Sequence, residues 1–269
     1  MKMQLDQLFA AMWEDYGKLS PAAVRIRKLL EARGETLVND HIALRTFRHP
    51  ALGLARAAKP FEDLGYKAKG EYFFEQKKLH AKHWEHPDPA RPKIFISELE
   101  AEKFSAYVQS AIAVLAEQIN ESATNAPDFF HSGRPWDLSH GEYLKLAAES
   151  EYASWVAAYG FRPNHFTVLV NALTTFKSLE ELNVFLEAHG IELNASGGKI
   201  KGAPTELLEQ SSTLAEEQQV VFNDGAHRVP SVYYEFARRY PMVDGNLYQG
   251  FIAKSADKIF ESTDRRSAQ

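Results

Sequence analysis

Two histidines and a glutamate, His41, His165 and Glu235, are the side chains whose types and settings could do chemistry together. Each histidine stands near the start of an apolar, strand-like run, NDHIALRTF and PNHFTVLVN, and the glutamate lies in a third, RVPSVYYEFARRY. Side chains alternate along a strand, so His41, Ala43 and Arg45 share one face, His165, Thr167 and Leu169 another, and Ser231, Tyr233, Glu235 and Ala237 a third. The three residues lie 124 and 70 positions apart, so only the fold could unite them. Two imidazoles and a carboxylate on one side of an ion leave open positions for substrate and dioxygen, the facial arrangement of non-haem iron(II) oxygen chemistry. The same donors suit Zn²⁺ or Mn²⁺, so ligand type alone does not name the metal. Plainer readings stand beside this one: a buried strand histidine is commonly structural, and a strand glutamate commonly pairs with an arginine.

Arg45 extends the set. It follows His41 by four residues on the same strand face, roughly 13 Å further along at ~3.3 Å per residue. A guanidinium there can hold a carboxylate in a bidentate fork, so an acid chelating the metal at one end could reach Arg45 with the other. The alternative is an internal salt bridge to an acid such as Glu98 or Glu75. Tyr233 is expected to face inward with Glu235, either donating to substrate or packing. In HAKHWEH, His80 and His86 share one strand face and His83 the other, so the three cannot hold one ion. His80 is expected at the surface or on the pocket wall. Glu98 is read as the first-unit counterpart of Glu235, in a supporting or salt-bridge role rather than as a fourth ligand. The Arg238–Arg239 pair reads as a solvated strand end.

The elements that must position these residues repeat. Residues 1–34 show helical periodicity, broken at Ser20-Pro21. Residues 35–100 read as strand, helix and three strands, with Gly65 closing the helix. Residues 101–160 form a largely helical insert, and 161–269 repeat the first pattern, with Ser178 and Glu181 placed to cap a helix that Gly190 stops. The expectation is an α+β fold: two βαβββ units sharing one cupped, partly open sheet around the site, all in one catalytic domain.

Composition limits the partners. The chain of 269 residues carries a net charge of -5, which argues against nucleic acid or an anionic membrane while leaving small anionic substrates open to a local arginine. It has no cysteine, which excludes disulfides and thiolate ligands and fits a reducing, cytoplasmic setting. No apolar run approaches the roughly 18–20 residues of a membrane span, and the first twenty residues read as an amphipathic helix rather than a signal peptide. Oligomeric state is not legible.

The segments NDHIALRTF, FRPNHFTVLVN, VPSVYYEFARR and GFIAKSADKIFEST resemble the 2-oxoadipate dioxygenase/decarboxylase (hydroxyglutarate synthase) family, relatives of the vicinal-oxygen-chelate enzymes. The resemblance runs over most of the chain. It implies His41, His165 and Glu235 as metal ligands and places the family's His-x-x-x-Arg motif on His41 and Arg45. It further implies Fe²⁺ (with Zn²⁺, Mn²⁺ or Ni²⁺ able to replace it in a purified sample), O₂ and a 2-oxo acid. The implied reaction converts 2-oxoadipate to 2-hydroxyglutarate and CO₂, as in lysine degradation. One departure matters: some bacterial members carry considerably more sequence after the glutamate strand, whereas 34 residues follow Glu235 here. The ligand set therefore carries over better than the wall that measures substrate length. Two competing expectations are a metal-dependent isomerase or lyase on the same scaffold, and a non-catalytic binding module that holds no metal.

Overall fold

The computed structural model describes residues 2–119, 129–253, 258–259 and 261–263; part of the expected helical insert, 120–128, lies outside them. Two N-terminal helices, α1 (Lys2–Leu19) and α2 (Pro21–Ala32), break where the sequence says they should. The Ser20 hydroxyl accepts from the Ala23 amide, and Pro21 occupies the first turn, where its missing N–H costs nothing.

The first unit is β1 (Asn39–Phe47), α3 (Leu54–Glu62), β2 (Lys67–Phe74), β3 (Leu79–Glu85) and β4 (Lys93–Leu99). Helices α4 (Ala106–Glu117), α5 (His140–Glu149) and α6 (Glu151–Tyr159) follow. The second unit is β5 (Pro163–Leu169), α7 (Leu179–Ala188), β6 (Lys201–Ala203) and β7 (Leu208–Ser212). A separate hairpin, β8 (Glu217–Phe222) with β9 (Gly225–Pro230), then intervenes before β10 (Glu235–Arg239). Ser178 caps α7 by accepting from the Glu181 amide.

One sheet runs β2-β3-β4-β1-β5-β10-β7-β6. Reading outward from its centre, β1 is flanked by parallel β4 and β5 by parallel β10, so the units are related by an approximate two-fold axis between antiparallel β1 and β5. Helices α1 and α7 cover one face: Trp13 of α1 meets Phe166 edge-on at 5.1 Å, and Asn183 of α7 accepts from Ser211 of β7. His41, His165 and Glu235 point to the other face. No helix among the described residues is long and apolar enough to cross a membrane.

The register corrects one expectation. Glu235 lies opposite Thr167, two residues past His165, and the matching first-unit position, opposite Ala43, is Phe95. Glu98 is an odd step from Phe95 and so lies on the helix-covered face. There it accepts from the Leu54 amide at the start of α3 and from Arg48. It is thus neither the counterpart of Glu235 nor within reach of the two histidines.

Candidate metal centre

The central strands bring His41, His165 and Glu235 together, all buried. The two Nε2 atoms are 3.3 Å apart, and they lie 3.5 Å and 3.3 Å from the two oxygens of Glu235. Atoms bonded at about 2.1 Å to a shared centre stand roughly 3.0–3.4 Å from one another at right or tetrahedral angles. The observed spacing fits that condition.

Hydrogen bonds behind the imidazoles fix which nitrogen faces inward. His41 Nδ1 meets Asp40 Oδ1 at 2.8 Å, and His165 Nδ1 meets Asn164 Oδ1 at 3.1 Å. In each unit the residue before the histidine accepts from its outer nitrogen, which leaves a lone pair on each Nε2. Asp40 is in turn gripped by both forks of Arg239, a buried residue of β10. The expected solvated end for Arg239 is therefore wrong. Counting by twos from Glu235 through Ala237 keeps Arg239 on the site's face, a signal the sequence already carried. Gln210 donates to Glu235 Oε1 at 2.6 Å, and Thr167 Oγ1 lies 3.1 Å from His41 Nε2. Sequence reasoning passes over Asp40, Asn164 and Gln210, has Thr167 only as a neighbour on the face of His165, and misplaces Arg239.

Electrostatics match the geometry. Burial lowers His41, and burial, with the His41 ring and the Arg45 guanidinium close by, takes His165 well below its ordinary range, so both rings are neutral. Burial also raises Asp40, yet the Arg239 guanidinium more than compensates and holds it ionised, well below the usual carboxylate range. Burial pushes Glu235 up to about 8. Two imidazole rings and a carboxyl group that holds its proton to about 8 thus face one another out of water, an arrangement that a cation would satisfy and that packing alone does not.

A pH dependence follows. The unfolded chain ionises Glu235 near 4.5, whereas the folded metal-free chain keeps its proton to about 8. The stability this proton lends is whole below 4.5 and is lost as pH rises through 8. The histidine contributions run oppositely, whole above 6.5 and lost as pH falls. Of the three, only Glu235 titrates between pH 6.5 and 8. Thermal melts of metal-free protein should show stability declining across that window, and metal-loaded protein should not show the decline. Parallel curves would contradict the placement of Glu235.

The remaining expected residues divide. Tyr233, just before β10, stacks on the His165 ring at 4.6 Å beside Arg45. Arg45 is buried on the same face, its guanidinium over Tyr152 and Trp155 of α6 and hydrogen-bonded to Glu151 and Thr263. Its internal acid is Glu151, not Glu98 or Glu75. His80 is turned away: it lies between Glu71 and Glu98 and stacks on Phe73. The inward histidine of β3 is His83, against Tyr72 and Phe251. Phe95, Phe251 and Ile259 close the apolar side of a chamber of about 20 Å³ at the three converging atoms, room for one ion or water.

Fold and site together define a paired βαβββ protein with a candidate metal centre where its two units meet. Residues 4–246 match the sequence model of the 2-oxoadipate dioxygenase/decarboxylase family, and the chain belongs to that family. A rice (Oryza sativa subsp. japonica) chloroplastic/amyloplastic 2-oxoadipate dioxygenase/decarboxylase is 33% identical over 94% of this chain and 78% of its own. The structure of hydroxyglutarate synthase from Oryza sativa in complex with 2-oxoadipate superposes with a TM-score of 0.90 at 32% identity, covering 97% of this chain and 92% of that one. A Shewanella frigidimarina protein solved under the name of a hydrolase superposes with a TM-score of 0.89 at 53% identity, covering 92% and 97%.

Proposed function

We propose that this chain is an Fe²⁺-dependent enzyme that converts 2-oxoadipate and O₂ into 2-hydroxyglutarate and CO₂, as in lysine degradation. His41, His165 and Glu235 would hold the metal, and Arg45 the distal carboxylate of the substrate. The observation that carries this reading is the buried convergence of two imidazole lone pairs and one carboxylate, with every outer nitrogen already committed. An iron ion bound there would supply chelation of the 2-oxo acid and activation of O₂.

The chain's own groups supply position and dryness. Arg45 lies past His165 from His41, so a diacid anchored at both ends would present one fixed carbon to the metal. Glu151 shares the guanidinium and holds it in place until substrate arrives. Phe95, Phe251 and Ile259 keep water from the reacting end. No side-chain base is assigned. A cytoplasmic setting suits the cysteine-free composition.

The direct test loads metal-free protein with Fe²⁺ without air, adds 2-oxoadipate, then admits O₂. CO₂ and 2-hydroxyglutarate should form in equal amounts; no oxygen uptake with any 2-oxo acid would reject the reading. Asp40→Asn probes the support behind His41. It removes the charged acceptor, and outer partners of this kind are worth about 10–100-fold in metal affinity. Competition with a chelator should show a loss in that range, and unchanged affinity would remove Asp40 from this role.

A further inference from the structure

Beyond the metal chamber, the same face of the sheet opens into a cleft of about 610 Å³ lined by residues of β1 to β5, β10 and the loop after β3. That volume lies within the roughly 300–1,000 Å³ of small-molecule sites. Its charge runs against that of the whole chain, which is negative. Five cations line it, Lys67, Lys69, Arg91, Lys93 and Arg239, against two acids, Asp40 and Glu85. Arg239 is spent on Asp40 and Arg91 on Asp6 and Asp88, while Glu85 accepts only a hydrogen bond from His83, whose buried ring is neutral, so three lysines stand against one acid. Among the described residues, the ammonium groups of Lys67, Lys69 and Lys93 make no hydrogen bond or ion pair. Lys93 is half-buried, and burial works against its charge, a cost that a bound anion would offset.

The wall between cleft and chamber is thin. Asp40 and Arg239 line the cleft, while their partners His41 and Phe251 line the chamber. Arg239 also donates to the carbonyls of Tyr248 and Gly250, which pins the strand of chain carrying Phe251. An anion gathered in the cleft therefore lies one side-chain layer from the converging lone pairs.

We propose that this cleft is an anion-binding vestibule that collects small dicarboxylates before they pass to the metal centre. The proposal rests on the reading of the substrate as a 2-oxo diacid. A molecule of net charge -5 repels a dianion at long range, so a local positive concavity is what would raise its capture rate.

Glutarate, a dicarboxylate without a keto group, separates this from catalysis. Its dissociation constant for the metal-free protein is measured by calorimetry, with inorganic phosphate as a second probe. Lys67→Glu/Lys69→Glu, on an exposed edge strand, should weaken glutarate by more than about tenfold, with steep dependence on salt. Lys93→Met should weaken it as well. Lys28→Glu/Lys145→Glu makes the same change in net charge at remote exposed positions and should shift binding by less than about twofold. The proposal is overturned by glutarate binding that the cleft variants leave unchanged but Arg45→Met abolishes, since the dianion then sits only beside the metal centre. No glutarate binding, or tighter binding of phosphate than of glutarate, overturns it too. Failure of 2-oxoadipate turnover would reject the proposed reaction and leave this binding readout standing.

Discussion

Glu235→Gln should abolish turnover and metal retention, yet raise the melting temperature of the metal-free protein at pH 8. The loss of activity has a simple origin. An amide is a poor replacement for an anionic oxygen donor, and loss of metal-based charge stabilisation worth several kcal/mol slows a reaction by about a thousandfold or more. The gain in stability is the more discriminating half. In the wild type, burial drives Glu235 to about 8, so folding without metal opposes its ionisation at neutral pH and above. Glutamine has nothing to ionise. Its oxygen can keep the bond from Gln210 at the position of Oε1, and its amide, at the position of Oε2, can donate to the lone pair of His165, 3.3 Å away. A site built for a cation would be strained when empty of charge, and removing the function would relieve the strain. Melts of both metal-free proteins at pH 6 and pH 8, with metal content by elemental analysis, decide the matter. The difference in melting temperature should widen at pH 8 in the variant's favour. Normal metal content in the variant, or a lower melting temperature at both pH values, would contradict the assignment.

The sequence made parts of this site readable and hid others for identifiable reasons. The order of elements and the recurrence of a histidine near the start of an apolar strand locate His41 and His165, because period-two alternation survives without knowledge of strand pairing. Glu98 misled for the converse reason: its match to Glu235 depended on register, and register cannot be counted across units of unequal length. Phe95 follows His41 by 54 residues, whereas Glu235 follows His165 by 70, and the inserted hairpin β8–β9 accounts for most of the difference. His80 and His83 likewise differ only in parity, which pairing to β4 settles. Asp40 and Asn164 stood in plain view, one residue before each histidine. Their role becomes visible only when the ring nitrogens are placed, since neighbours on a strand usually point to opposite faces. Glu151 as the acid beside Arg45 comes from the helical insert, and no periodicity links α6 to β1.

Arg45→Met should raise KM for 2-oxoadipate by about 10–100-fold, the range for loss of a charge-assisted hydrogen-bond pair, with a much smaller effect on 2-oxohexanoate. Methionine keeps an apolar stem against Tyr152 and Trp155, so packing at this end of the sheet survives. Loss of the guanidinium leaves Glu151 and Thr263 without that contact, and a general loosening would follow if this were Arg45's only task. The comparison of substrates separates the two roles. Both acids carry the 2-oxo carboxylate that would engage the metal, and only 2-oxoadipate has a second carboxylate for the arginine. A structural role impairs both acids alike, whereas an anchoring role narrows the wild type's preference for the diacid toward unity. Glu151→Gln sharpens the test further. It removes the internal competitor for Arg45 while leaving a hydrogen-bonding amide, so it should strengthen diacid binding where Arg45→Met weakens it. Equal losses on both substrates in Arg45→Met, joined to weaker diacid binding in Glu151→Gln, would make Arg45 a structural ion-pair partner and return the choice of substrate to other walls of the cup.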